Sequence, residues 1–548
     1  MPHSHLRRSE AHLSRAAKAA AQPAPWNREE WASAYRNCDE ESGGYWLCVE
    51  GHLPADLHGT FYRNGPGVFT IGGQELAHPF DGHGLVVSIA FRGGRAFMRS
   101  RFVRTEEYCS EAGAGRVLYR GTFGTHLPGG WATNALDVGI RNVANTGCVP
   151  WGGKLLATFE AGQPYTLNAA TLATRGVDTL GGVLQRGLPF DAGSGLANAM
   201  LGRAASWLRA LRGRPRQVTM GGDALAAHAH VDPRTGHLLT FSHRVALSRR
   251  GPVTRLTVYE FDQEYKLVAS ATHVLEGYAL VHDIAVTENH IVVFQNPARL
   301  RLLPLLLGLA APIHCLQWQA GRAQGEGAAK LEAPPAFVFH SANAYEESGR
   351  LVADCVCYPR APDFEQACGS GRSFCRDVEP HLQPPSELWR YEIDLVAMRM
   401  LSRRRLCDHV LEFPAVSPLR QGRRHRYVYA AAAPVPGVNS PQQALVRVDT
   451  ASGRVVAWHA GPHTYVGEPV LVPKAHGCVS DDGRRAEPVE DAAWVLVMCY
   501  DAARGRSACA ILDAADIAAG PVASAVLRAP LPHGLHGAWS PECYAPPD

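Results

Sequence analysis

The 548-residue sequence has no run of about 20 apolar residues, so no single segment reads as a bilayer-spanning helix. It has 14 cysteines but no paired CxxC motifs, which argues against a zinc ribbon or a redox dithiol. An excess of one charge is also missing: 54 Lys and Arg face 51 Asp and Glu, a formal net charge of +3, and nothing calls for a nucleic-acid partner. Charged residues make up only 19% against 46% hydrophobic, which excludes a disordered chain and permits a large core. The first 27 residues lack the apolar centre of a secretory signal. They carry Arg7, Arg8, Arg15 and Lys18 against Glu10, as expected of an organelle-targeting leader or a disordered tail. The chain is therefore expected in a reducing compartment, cytoplasm or plastid, and not secreted, with residues 28–548 as a single domain.

Long helical periodicity is scarce. Short β-rich runs follow one another instead, among them GHLLTFS at 236–242, LTVYEF at 256–261, HIVVF at 290–294, ALVRV at 444–448 and AWVLVMCY at 493–500. Several are joined by similar turns, DPRTG at 232–236 and DTASG at 449–453, in which Asp opens the turn and Gly supplies a positive φ near its end. Hairpins recurring over roughly 500 residues suggest a β-propeller; a pair of β-sandwiches is the competing all-β architecture. Cys355 and Cys357 alternate on one strand face and read as small buried hydrophobes.

Two segments break this rhythm. Between Gly195 and Gln217, apolar residues at 196, 200, 204, 207, 208 and 211 follow helical spacing, with Arg203, Arg209, Arg212, Arg214 and Arg216 on or beyond the helix. This is either a helix lying at an anionic membrane surface, apolar side inward, or an amphipathic helix packed on the body. Leu300 to Leu309 (LRLLPLLLGL) is very apolar, is interrupted by Pro304 and is too short to span; it reads as an interfacial loop, a tunnel lip or core. Any membrane contact is expected to be peripheral.

Most of the 25 histidines cannot be ligands. Four stand in well-punctuated contexts: AHAHVDPRTG at 227–236, VHDIAVTENH at 281–290, FHSANAYEE at 339–347 and PHGLHGAW at 532–539. Together they resemble the four histidine motifs of the carotenoid cleavage oxygenases, in the same order. Further matches cover nearly the whole chain after the leader: LPADLHGTFYRNGPG at 53–67, HPFDGHGLV at 78–86, EFP at 412–414, GEPVLVP at 467–473 and LDAADIAAGPVA at 512–523. The stretches at 118–137 and 142–161 are similar to bacterial and algal apocarotenoid 15,15'-oxygenases.

The resemblance implies a seven-bladed β-propeller with iron on its central axis and a loop and helix cap over the active site. Its implied ligands are His228, His282, His340 and His536, neutral imidazoles that suit Fe(II). Glu160, Glu412 and Glu468 are implied as acceptors for the other ring N–H of three of these histidines, which leaves the first ligand without a glutamate. Thr146 resembles a threonine near the iron whose methyl hinders one coordination site. The usual His-Pro-Lys or His-Pro-Arg of the first motif is here His228-Ala229-His230, and strand alternation would turn His230 to the same face as His228. The VDP turn that follows selects His228, and the His-Gly after the last turn selects His536 over His533. His83 is read as structural.

The implied reaction is cleavage of a C=C bond in an apolar polyene, a carotenoid or apocarotenoid, by O2 to give two carbonyl products, retinal-type among them. No catalytic residue beyond the metal centre is implied. A tunnel is expected near Phe80, Leu300 to Leu309 and Trp318. The rivals are a stilbene-cleaving oxygenase, disfavoured by the lack of lysine from Leu118 through Gly153, a retinoid isomerohydrolase, and a noncatalytic binding propeller. The protein is expected to be a monomer without a nucleic-acid partner.

Overall fold

In a computed structural model the described residues are 26–38, 41–137, 139–185, 190–191, 195–215, 223–248, 251–318, 325–326, 331–362, 374–475 and 489–547. The leader up to residue 25, and Arg216 and Gln217 beyond the 195–211 helix, lie outside them.

The architecture is a β-propeller of antiparallel sheets that follow one another along the chain. The first sheet orders Ser42–Trp46, Arg95–Phe102, Leu85–Arg92, Gly59–Arg63 and the C-terminal strand Gly537–Ser540. The second runs through Gly147–Trp151, Lys154–Thr158, Tyr165–Leu167 and Thr174–Val177. The third is built on the long strands Leu238–Ser248, Gly251–Phe261 and Leu267–Glu276. A two-stranded hairpin, Ile284–Val286 with Ile291–Val293, follows it. The fourth sheet starts with Phe337–Glu347 and Arg350–Tyr358, and the fifth with Leu411–Ala415 and Tyr427–Ala432. The sixth joins Thr464–Pro473, Ala493–Asp501, Arg506–Asp513 and Pro521–Val526 to the N-terminal strand Cys48–Gly51.

Strand alternation explains why such sheets pack as a ring. Successive side chains point to opposite faces, so each inner sheet buries both faces against its two neighbours. Phe61 enters the core shared with Leu496 and Ile511 of the sixth sheet, whereas the adjacent Tyr62 enters the core shared with Leu155 and Leu167 of the second. Likewise Val428 and Ala430 face Val356 and Leu388 of the fourth sheet, and Tyr429 and Ala431 face Val495 and Val497 of the sixth. The short hairpin obeys the same rule: Ile284 packs with Phe241 and Leu256 of the third sheet, and Ala285 with Ala344 and Leu351 of the fourth.

Two strand exchanges close the ring. Gly537–Ser540 pairs with Gly59–Arg63, and Cys48–Gly51 pairs with Pro521–Val526, so each chain end is hydrogen-bonded into the sheet at the far end of the sequence. The turns behave as their residues dictate. Gly236 and Gly453 have φ of 72° and 73°, and each donates its N–H to the carbonyl of the opening Asp, at 2.8 and 2.7 Å. Cys355 and Cys357 are buried with their Sγ atoms 3.6 Å apart.

His83 is buried away from the propeller axis. Its Nε2 meets Glu111 Oε2 at 2.7 Å, and the other oxygen of Glu111 accepts from Arg141 at 3.0 Å and from the Leu118 N–H at 2.8 Å. Arg141 also donates to the Asp81 carbonyl, so one carboxylate ties the helix Glu106–Ala114 to segments 81–83, 118–119 and 141. Burial alone would raise the Glu111 carboxyl, but Arg141 and His83 overcome it and hold the group at about 2, below its ordinary 4.5. A carboxyl depressed in this way stabilises the fold above its ordinary value and loses that contribution as the pH falls toward 2. Glu111→Gln should therefore lower the urea midpoint near neutral pH, by the equivalent of about 3 kcal/mol. The gap from wild type should close between pH 4.5 and 2; a gap that does not change with pH would show that the carboxylate charge is not what stabilises.

Candidate metal centre

His228, His282, His340 and His536 come together although they are far apart in the chain. One ring nitrogen from each lies within 4.8 Å of the others. His228 follows a bend at Ala227, two residues before the short strand His230–Val231, which pairs with the third sheet, and His282 lies two residues before the hairpin. His340 lies on the first strand of the fourth sheet, and His536 immediately precedes the closing strand of the first. Register breaks between Val338 and Ser341, between Glu412 and Ala415, and between Val466 and Pro469 mark the strands that carry His340, Glu412 and Glu468. Bulges of this kind re-aim a side chain without ending the sheet.

Three carboxylates decide which ring nitrogen is available. His340 Nδ1 meets Glu412 Oε2 at 2.5 Å, His536 Nδ1 meets Glu468 Oε1 at 2.8 Å, and His282 Nδ1 meets Glu160. A carboxylate only accepts, so each of these Nδ1 atoms carries a proton, and in the neutral ring each Nε2 is left as the acceptor. His228 makes no carboxylate contact among the described residues. Yet the Nε2 atoms of His228 and His282 lie 3.0 Å apart, and those of His282 and His340 3.3 Å apart. Two imidazoles set at right angles on one ion with bonds of about 2.1 Å would show nearly this separation. In the neutral rings these nitrogens are lone-pair donors gathered about a common centre, so the donor set fits a metal ion.

The electrostatics agree. Burial, followed by the crowding of His536, His282 and His340, pushes the His228 ring well below its ordinary value and keeps it neutral. Burial would raise the Glu412 carboxyl, but His340, with bonds from Tyr358 and the Phe413 N–H, holds it below the usual range. Glu160 is likewise held down against burial by His282.

The neighbouring histidines are engaged elsewhere. His230 Nδ1 accepts from Gln421 Nε2 at 2.7 Å and its Nε2 faces Asp283 at 3.4 Å. Because His228 precedes the strand, alternation does not put the two rings on one face. His533 stacks on Trp31, meets its carbonyl at 3.1 Å, and is pushed by burial down to about 4. Thr146 lies beside the cluster: its carbonyl accepts the His536 N–H at 3.1 Å and its side chain lines the adjoining cavity.

That cavity, of about 350 Å³, opens on His282, His340 and His536, and its walls include the aromatic rings of Phe80, Phe123, Phe159, Phe339 and Phe374. Leu300 to Leu309 are not among its lining residues; Leu303 and Leu309 are exposed, at 67% and 61%, and the Trp318 side chain lies outside the described residues.

The family described as retinal pigment epithelial membrane protein matches residues 35–541. The chain belongs to the carotenoid cleavage oxygenase family. Among its relatives is the apocarotenoid-15,15'-oxygenase of Synechocystis, 35% identical over 94% of this chain and 97% of that protein. The crystal structure of the cobalt-substituted Synechocystis apocarotenoid oxygenase superposes with a TM-score of 0.80 at 34% identity, covering 94% of this chain and 100% of the other. The isoeugenol monooxygenase of Pseudomonas nitroreducens is 28% identical over 90% of this chain and 94% of its own length.

Within this oxygenase site, isolated sequence motifs gave no sign of Tyr358 and Phe413. The Tyr358 hydroxyl donates to Glu412 Oε1 at 2.5 Å, fixing the carboxylate that orients His340. The Phe413 ring stacks on His340 at 5.5 Å, and its φ of 56° is costly for a bulky residue, the more so before Pro414. The EFP motif was the available signal: a positive φ inside a bulge turns Glu412 and Phe413 toward the same imidazole. Glu412→Gln should weaken metal retention about ten- to a hundredfold, and Tyr358→Phe less, as read by metal content after dialysis against graded chelator. Retention equal to wild type in Glu412→Gln would remove the carboxylate from the site.

Proposed function

We propose that this protein is an iron(II)-dependent dioxygenase that cleaves a C=C bond of a carotenoid or apocarotenoid with O2, giving two carbonyl products of aldehyde or ketone type, retinal-type products among them. The observation that carries this reading is the four-imidazole cluster opening directly onto an aromatic cavity. His228, His282, His340 and His536 would hold the ion, Glu160, Glu412 and Glu468 would orient three of the rings, and Thr146 would crowd one side. Bound Fe(II) supplies the site at which dioxygen is activated. The chain's own part is to keep each Nδ1 protonated and each Nε2 bare, to hold an apolar rod between aromatic walls beside the cluster, and to exclude water. The balance needs no general base: one C=C and one O2 become two C=O groups.

We count the 284–293 hairpin, packed between the third and fourth sheets, as the seventh blade of a single-domain propeller capped by loops and helices, acting as a monomer in the cytoplasm or a plastid. The second reading, cleavage of a stilbene or other phenylpropenoid alkene, draws support from the isoeugenol monooxygenase relatives. Incubating iron-loaded protein with carotenoids, apocarotenals and phenolic alkenes under ¹⁸O2 separates the two. Label in both carbonyl products of a polyene is expected, and cleavage of the phenolic alkenes alone would overturn the polyene reading.

Membrane contact takes a different form from the one the sequence suggests. On the helix Gly195–Leu211, Arg209 is buried against Asp137 at 2.7 Å, Arg214 pairs with the same carboxylate, and Arg212 donates to the Ala135 carbonyl at 2.8 Å. The apolar side faces outward instead, with Leu196, Met200, Trp207 and Leu211 between 63% and 74% exposed. Leu136, itself exposed, bonds to Leu306, so the helix, the 131–137 segment and the Leu303 to Leu309 leucines form one apolar surface. No helix among the described residues is long and apolar enough to cross a membrane. This surface would lie on a lipid face. With three arginines turned inward, partition to neutral phosphatidylcholine vesicles should approach that to anionic ones. Leu196→Glu with Trp207→Glu should lower partition about tenfold or more, while turnover of detergent-dispersed substrate is retained; binding to anionic vesicles alone would restore the electrostatic form of the idea.

A further inference from the structure

Among the residues that line the cavity, Arg63 is the only Lys or Arg. It is half-buried, and its single hydrogen bond among the described residues runs from Nη2 to the Pro532 carbonyl at 2.7 Å. Most of the five N–H groups of this guanidinium are therefore unused. Nε and Nη1 have no partner among the described residues, yet they are not sealed off by packing as the Nε atoms of Arg120 and Arg141 are. The surroundings are shaped to hold the group. Arg63 ends the strand Gly59–Arg63 and pairs there with Gly537, next to the ligand His536. A methyl group on Gly534 would stand 1.9 Å from Arg63 Nε, and Gly534 has no positive φ to call for glycine, so its missing side chain is the space that the guanidinium takes.

No neighbouring charge answers this one. Glu468 raises the guanidinium through space, but its two oxygens accept from His536 Nδ1 at 2.8 Å and from the Gly537 N–H at 2.6 Å. Glu160 and Glu412, which line the cavity, are bound to His282 and His340. Burial accordingly wins and pulls Arg63 from its ordinary 12.5 down to about 10, which leaves it charged at neutral pH without an ion pair among the described residues.

We propose that Arg63 is a binding site for the carboxylate end of an otherwise apolar chain, an acid whose hydrocarbon part lies among the aromatic walls of the cavity. This goes beyond the oxygenase reading and does not depend on it. A buried charge without a counter-charge is costly, and a carboxylate supplies one together with acceptors for the unused N–H groups. A carbonyl or hydroxyl supplies only an acceptor and leaves the charge unanswered. An acid held here would occupy the space that opens on His282, His340 and His536 and so keep a substrate from the cluster.

Calorimetric titration of the iron-loaded, full-length protein at neutral pH tests this with two acids, dodecanoic acid and all-trans-retinoic acid, each against its own methyl ester. At least one acid should bind about tenfold or more tightly than its ester, and the tighter acid shows whether a saturated or a conjugated chain is taken. Arg63→Met should erase the preference and leave ester binding unchanged, and Arg63→Lys, which keeps a charge without the fork, should retain more of it than Arg63→Met. A second measurement needs no variant. In cobalt-loaded protein the visible absorption of the metal should change no more with the acid than with its ester, because the carboxylate sits on Arg63 and not on the metal. Equal binding of acid and ester by wild type, a preference that survives in Arg63→Met, or a cobalt spectrum that shifts with the acid alone would overturn the assignment.

Discussion

The convergence of four imidazole nitrogens from separate parts of the ring is the constraint on which the rest of this structure depends. The Nε2 atoms of His228 and His340 stand 3.0 and 3.3 Å from that of His282, and sheets all round the ring supply the residues that hold them there. The division of labour around the ring is complete. The first, third and fourth sheets and the 284–293 hairpin carry the histidines, and the second, fifth and sixth sheets carry the glutamates. Each glutamate reaches a histidine on another sheet, so these bonds are also struts across the axis. The strand exchanges between the chain ends then become part of the chemistry. Gly537–Ser540 is the strand that closes the first sheet, and His536 is the residue immediately before it.

Side-chain alternation gives the ring its stiffness. Tyr429 and Val428 serve different neighbours, as do Phe61 and Tyr62, so no sheet can shift without disturbing two cores. The departures from regular pairing fall where function needs them, in the register breaks at His340, Glu412 and Glu468 and in the positive φ of Phe413. Strain of this kind persists only when its surroundings over-determine it. Here a carboxylate and a stacked ring meet a single imidazole, and a tyrosine hydroxyl holds the carboxylate.

What the sequence made legible followed from local rules. The Asp-to-Gly turns and the short alternating strands announced a hairpin-rich fold, and local context separated four histidines from 25. The choice of His228 over His230 rested on spacing to a turn, and the structure gives the physical reason: His228 precedes the strand, while His230 is held by Gln421 and Asp283. What stayed hidden depended on contacts between distant segments. The orientation of the 195–211 helix is the clearest case. Its apolar stripe was evident, but which side met the body was set by Asp137, some 70 residues earlier, which draws Arg209 and Arg214 inward and turns the stripe out. Periodicity describes a helix's two faces and is silent about which one finds a partner. Leu300 to Leu309 show the same limit, since apolar character alone did not distinguish a tunnel lip from the outer surface the leucines occupy.

The cavity therefore meets the cluster on one part of its wall and other side chains, many of them apolar, on the rest. At the cluster three of the four histidines are fixed by carboxylates, one of which is held in turn by a tyrosine hydroxyl, so a change at one position propagates through bonds to the others. Around it stand aromatic rings that contact one another edge to face, as Phe80 does Phe123 and Phe339 does Tyr358. Such walls accept many conjugated rods of similar width. Selectivity in a site of this kind cannot come from the cluster, whose geometry is committed to the ion, nor from dispersion, which varies little between polyenes. It is left to the shape of the walls and to the polar atoms among them, which a fitting ligand satisfies and an ill-fitting one leaves buried and unpaired.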